Sequence, residues 1–179
     1  IISFTDGVFG AYSENLAEEC GEFIIRRSDG VFAYQLAVTV DDGLSGVTEV
    51  VRGSDLISST PRQIWLYRLF GFEPPHFVHI PLLCDVDGRR LSKRDEDLDL
   101  GLLRERFSPE QVIGALAFAA HLTDRAEPAS VRELVQDFDW SRIPRHELCL
   151  PPMFRCPSKR ENVKRCLTNL NSGIILGHS

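Results

Sequence analysis

Between Gly88 and Asp95 the chain reads GRRLSKRD, which places Arg89, Arg90, Lys93 and Arg94 around a Leu91-Ser92 pair. A lysine beside a hydroxyl in a glycine-flanked loop can neutralise charge that develops on a phosphate. The same residues also describe a solvated charged turn. The loop follows an apolar run, FVHIPLLCDVDG. If that run is a parallel strand, the loop leaves its C-terminal end, where α/β sheets bind ligands. Two further residues suit anion recognition: Arg52 carries a fork that fits a carboxylate, and Tyr34 adds an orienting hydroxyl. Each has a plainer reading, Tyr34 as a packed core tyrosine and Arg52 as a surface ion pair with Asp55 or Asp41.

The other chemistry-bearing residues carry less. Asp41 and Asp42 are neighbours on what reads as a strand, so they point to opposite faces and serve structure rather than one acid/base site. His76 and His79 flank a strand, fit no triad and read as non-catalytic. The cysteines (Cys20, Cys84, Cys149, Cys156 and Cys166) are five, with no CxxC pair, a reduced cytosolic pattern. The last three with His146 match no usual zinc spacing, so no metal site is expected.

These residues need elements to hold them. IISFTDGVFGAYS alternates and turns at Asp6-Gly7, as a hairpin does. NLAEECGEF is a short amphipathic stretch. Val31 to Val40 is almost wholly apolar or β-branched and predicts a strand buried on both faces. GVTEVVRG predicts another strand. Thr60 as N-cap, Pro61 at the first helical position and Gln63 closing a capping box start a helix that stops at Gly71. PHFVHIPLL is the next strand. Ser108-Pro109-Glu110-Gln111 opens a second helix, and Ser130 with Glu133 caps a third. This order implies an α/β core with a parallel sheet, followed by a separate helical piece from about Arg104 to Trp140.

The bulk numbers agree with one ordinary domain. The chain has 179 residues, 43% hydrophobic and 26% charged, and no apolar run long enough to span a membrane. A net charge of −6 argues against nucleic-acid binding by bulk charge and leaves room for one basic face. No secretory signal is visible. The start, inside a strand and without Met, predicts a fragment. The tail from Phe154 is basic, which suits either a phosphate contact or a disordered end.

Taken in order, DGVFAYQLA, VDD, GVTEVVRG, STPRQ, HIPLL and RLSKR resemble the second half of the class I aminoacyl-tRNA synthetase catalytic domain, in its glutamate branch. The resemblance covers about residues 1–151. It implies a second half of a Rossmann-like parallel-sheet domain over 28–104, the end of an inserted acceptor-binding domain over 1–27, and a small helical stem-contact region over 105–150. The tail over 151–179 stays unassigned. Two family members fit: glutamyl-tRNA synthetase, and the shorter glutamyl-queuosine tRNA(Asp) synthetase. Val38 and Leu56, and the small space after the helices, favour the second. A non-catalytic tRNA-binding paralogue is a third reading, against which the retained Lys93, Tyr34 and Arg52 argue.

The resemblance also implies roles. Arg90, Leu91, Ser92, Lys93 and Arg94 correspond to the family's KMSKS-type ATP-binding loop, with Lys93 the catalytic lysine. Leu82 and Leu83 lie where adenine meets backbone, with simple core burial the other option. Tyr34 and Arg52 correspond to the glutamate-binding pair. The substrates implied are ATP with Mg2+, L-glutamate, and tRNA(Asp) or tRNA(Glu). A cytoplasmic monomer is expected. The family's upstream His-Ile-Gly-His-type signature and upstream zinc cysteines are not in this sequence, so the 179 residues alone are expected not to form adenylate, and zinc belongs, if anywhere, upstream.

Overall fold

A computed structural model describes residues 1–84 and 100–149. The basic loop and the tail from Pro151 lie outside the described residues. The chain opens with a hairpin, β1 (Ile2–Asp6) and β2 (Gly10–Glu14), paired antiparallel with Ile2 opposite Glu14. The sequence predicts this hairpin, and the turn lies at Asp6-Gly7 as expected. Asp6 shapes the turn by accepting the Val8 and Phe9 amides on Oδ1, at 3.0 and 2.9 Å. A single π-helical turn, Leu16–Cys20, follows.

The first correction falls on Val31 to Val40. It is not a strand: Tyr34–Ser45 form helix α1. An apolar run with no clear period suits a buried strand and a buried helix equally. Good helix formers, Gln35, Leu36 and Ala37, open the segment, and Gly46 closes it in the left-handed conformation with φ 68°, its amide bonding back to the Asp42 and Gly43 carbonyls. Thr39 is fully buried and fits the helix by donating its hydroxyl to the Gln35 carbonyl at 2.8 Å. Asp41 and Asp42 therefore lie on a helix, not on a strand.

β3 (Glu49–Gly53), α2 (Thr60–Phe70) and β4 (His76–Ile80) form a βαβ unit. The two strands are parallel, with Arg52 in register with His79. Helix α2 ends at Gly71 as the sequence predicts, but its start differs. Ser59 is the N-cap and no side-chain cap bond forms, so Gln63 closes no capping box. Strand β4 alternates its faces. Phe77 meets Ile2, Ile64 and Tyr67 in one core, and Val78 meets Val8 and Ile143 in another. His79 lies on the Phe77 side, stacked beside it at 6.3 Å, with no exposed surface. The hairpin thus shares both cores with the parallel pair.

β5 (Leu83–Cys84) pairs in parallel with β6 (Leu148–Cys149). Between them come α3 (Leu100–Arg106), α4 (Pro109–Ala119) and α5 (Val131–Gln136). Both predicted capping boxes form, Ser108 with Gln111 and Ser130 with Glu133. Leu103 and Ala115 make a small core that Leu83 joins. Gly114 lets α4 lie against the 127–129 segment: a Cβ there would sit 1.8 Å from the Glu127 carbonyl oxygen.

Candidate functional site at the C-terminal ends of the parallel strands

Arg52 is the penultimate residue of β3, so its side chain starts near the strand's C-terminal end. It does not reach outward to Asp55 or Asp41 in an ion pair; it turns into the layer between the strands and α2. Its Nε–H donates to Nε2 of His79 at 3.0 Å, Nη1 donates to Oε1 of Gln63 at 2.8 Å, and Nη2 donates to the Thr60 hydroxyl at 2.8 Å. A longer contact from Nη2 reaches the Leu56 carbonyl at 3.5 Å. The guanidinium also lies over the Phe77 ring, 5.1 Å from its centroid. Every one of these partners is uncharged. Burial pulls the Arg52 pKa down from its ordinary value, against the pull of Tyr34, Tyr67, Asp42 and Asp6. Arginine nonetheless stays protonated in proteins, so the site holds a cation with no carboxylate of the described residues in direct contact with it.

His79 connects that cation to Asp6. The two side chains meet at 2.6 Å, Nδ1 to Oδ2, both fully enclosed. Asp6 also accepts the His79 backbone amide, at 3.1 Å on Oδ2. Burial would raise the Asp6 pKa, but the bonds from Phe9, His79 and Val8 outweigh it and hold the carboxyl below its ordinary range. For His79, burial dominates and the pKa falls, so the ring is neutral. Gln63 carries the network the other way, donating Nε2–H to Oε1 of Gln35 at 2.7 Å, next to Tyr34 at the start of α1.

Tyr34 is 58% exposed, which removes the packed-core reading. It lies close enough to Arg52 for the two to feel each other electrostatically. Leu82 stands over the end of β3: a Cβ on Gly53 would come within 3.2 Å of its Cδ2. Leu83 instead packs toward α3 and α4. The structure therefore gathers Tyr34, Arg52 and Leu82 at one end of the parallel pair. Arg90, Leu91, Ser92, Lys93 and Arg94 lie outside the described residues. His76 is exposed and faces Glu49 across the strands at 3.2 Å.

Sequence reasoning missed Asp6, His79, Thr60, Gln63 and Gln35. Three of these had been given other jobs, Asp6 as a turn residue, Thr60 as a helix cap and Gln63 as the capping-box partner. Their neighbours lie far along the chain, where local spacing carries no signal. A cleft of about 290 Å³ opens at the opposite end of the strands, lined by Arg68, Phe72, His76 and Phe77 among others. It contains none of the candidate residues. Among the described residues, no three His, Cys, Asp or Glu side chains come together to hold a metal, and no helix is long and apolar enough to cross a membrane.

A family description, tRNA synthetases class I (E and Q), catalytic domain, matches residues 2–142. The Glutamyl-Q tRNA(Asp) synthetase of Symbiobacterium thermophilum is 51% identical over 132 residues, covering 73% of this chain and 41% of the relative. That of Nitratidesulfovibrio vulgaris is 44% identical over 153 residues, covering 84% and 47%. The chain spans about half the length of the curated relatives it matches. A crystal structure of a glutamate tRNA ligase from Elizabethkingia meningosepticum superposes with a TM-score of 0.72 at 24% identity, over 86% of this chain and 34% of that one. That likeness is one of fold.

Proposed function

This chain belongs to the class I tRNA synthetase family of glutamate and glutamine, in its catalytic domain, and on that premise we propose that it is part of an enzyme that activates L-glutamate with ATP and transfers it to tRNA. The observation that carries this reading is Arg52: a cation that contacts, among the described residues, only uncharged groups, at the C-terminal ends of parallel strands, with Tyr34 nearby. Such a cation calls for an anionic ligand, and a carboxylate of glutamate satisfies it.

The reaction has two steps. A glutamate carboxylate oxygen attacks the α-phosphorus of ATP, and the bond to pyrophosphate breaks. A tRNA hydroxyl then attacks the activated carbonyl carbon, and AMP leaves with the electron pair. Arg52 and Tyr34 hold and orient the amino acid. Arg90, Leu91, Ser92 and Arg94 shape the loop over ATP, and Lys93 meets the charge that builds on the phosphates, a contribution on the order of 3 kcal/mol. Leu82, above Gly53, lines the adenine side. ATP arrives as a substrate with Mg2+ on its phosphates. Residues 1–27, 28–104 and 105–150 divide as inserted-domain end, catalytic half and stem-contact helices, in a cytoplasmic monomer.

The acceptor we favour is queuosine of tRNA(Asp), a preference supported by the names of the relatives at 51% and 44% identity and by Val38 and Leu56. The test is glutamate-dependent ATP–pyrophosphate exchange by the natural full-length protein. Exchange without tRNA supports the queuosine reading. Exchange that requires tRNA points instead to a glutamate-tRNA ligase, and no exchange under either condition overturns the enzymatic reading.

A further inference from the structure

The Arg52 guanidinium owes its orientation to a residue that does not touch it. Histidine can accept a hydrogen bond on Nε2 only when that nitrogen carries no proton. The Arg52 Nε can only donate, so the 3.0 Å contact between them requires a bare Nε2. The ring proton must then sit on Nδ1, and Nδ1 points at Oδ2 of Asp6 from 2.6 Å. Asp6 is itself fixed, because Oδ1 holds the Val8 and Phe9 amides and Oδ2 holds the His79 amide. The orientation therefore passes from the β1–β2 turn through β4 to β3, by a hydrogen bond between two enclosed groups and then one to the half-buried Arg52.

We infer that Asp6 and His79 are positioning residues for Arg52, with Asp6 holding His79 in its Nδ1–H form so that His79 fixes the guanidinium plane. The inference rests on the reading of Arg52 as the carboxylate-binding residue. Of the five N–H groups of arginine, those on Nε and Nη2 are engaged, and one on Nη1 is taken by Gln63. One Nη1 hydrogen is left without an acceptor among the described residues. The site thus leaves an incoming carboxylate a single unengaged donor and not the two-pronged fork that the sequence suggests. A neutral imidazole between Asp6 and Arg52 also keeps the carboxylate from pairing directly with the guanidinium, so the cation's charge stays available to the substrate.

The test uses the natural full-length protein and pyrophosphate exchange with glutamate and ATP varied separately. Asp6→Asn lets the ring proton move to Nε2, facing the Arg52 N–H. It should raise the KM for glutamate about tenfold, the loss expected for one hydrogen bond to a charged group, and leave the KM for ATP unchanged. His79→Gln places a carbonyl oxygen where Nε2 was and needs no proton set by Asp6. In that background, adding Asp6→Asn should move the glutamate KM by less than about twofold, because the path being broken is already absent. Equal rises in both KM values, or the same glutamate effect of Asp6→Asn in both backgrounds, overturn the inference. Arg52→Ala is the control: if it leaves the glutamate KM unchanged, the glutamate reading itself falls and takes this one with it. If Asp6→Asn does not fold, 15N spectra of histidine-labelled wild-type protein decide. A protonated Nδ1 with a bare Nε2 on His79 supports the inference, and a proton on Nε2 overturns it.

Discussion

Asp6 and His79 lie 73 positions apart in the chain and 2.6 Å apart in space. That contact fastens the tip of the N-terminal hairpin to strand β4, beside the proposed site. It also makes the site sensitive to acid, to backbone bulk in the turn, and to the order in which the chain closes.

Acid should weaken the fold through both groups. Asp6 has a lowered pKa in the folded state, so its stabilisation is present above the ordinary carboxylate range and is lost as pH falls through the folded value. His79 is also lowered, from 6.5; below that pH the unfolded ring takes a proton that the folded ring refuses, which favours unfolding. The two effects have the same sign. Thermal melts should therefore drop as pH falls from about 6.5 to 5, by up to about 1.4 kcal/mol per unit from the histidine. His79→Gln should flatten the curve in that window, and an unchanged slope would count against a neutral His79.

Gly7→Ala should loosen the hairpin. A Cβ at Gly7 would meet Val78 Cγ2 at 2.7 Å, and valine is too stiff at χ1 to step aside. The hairpin tip must then lift from β4, stretching the Gly7 amide bond to the Phe77 carbonyl, now 3.0 Å. The expected cost is about 1–3 kcal/mol, read as a lower denaturation midpoint. The glutamate KM should rise as well, because Asp6 moves with the turn.

Gly114→Ala should damage a different part. The obstacle there is backbone, the Glu127 carbonyl, and the Ala129 amide is tied to the Glu110 carbonyl at 3.0 Å. A destabilisation on the order of 3 kcal/mol is expected. Hydrogen exchange should show it concentrated in residues 109–136, with the β3–β4 pair spared. Uniform loss of protection would show that the helical piece is not a separate unit.

Lys93→Ala in the natural full-length protein should slow adenylate formation by about a hundredfold or more, with little change in glutamate affinity. Exchange rates within about twofold of wild type would remove Lys93 from the mechanism, since the lost charge would then be worth under about 0.5 kcal/mol.

Much of this architecture was legible in the sequence because it is local. The hairpin turn at Asp6-Gly7, the Gly71 stop and the paired boxes at Ser108 and Ser130 are each decided within a few residues, and all formed. The α1 segment misled because tyrosine, valine and threonine favour strands, while the Gly46 cap that decides the matter lies beyond the apolar run. Gln63 has the right spacing for a cap and bonds elsewhere, because Arg52 brings it a charged donor. Arg52 and Tyr34 are candidates by type and resemblance. What holds Arg52 was not legible, since Asp6 and His79 meet only once the chain is folded.

The separation of Asp6 and His79 has a consequence for how the protein opens. Joining them closes a loop of 73 positions, whose entropic cost is on the order of 4 kcal/mol. The Val8, Phe9 and His79 amides all bond to the one Asp6 carboxylate, so its withdrawal releases all three together. They should exchange with solvent as a single cooperative group, at a rate set by detachment of the whole hairpin. Undocking the hairpin and disarming the proposed glutamate site are then the same event.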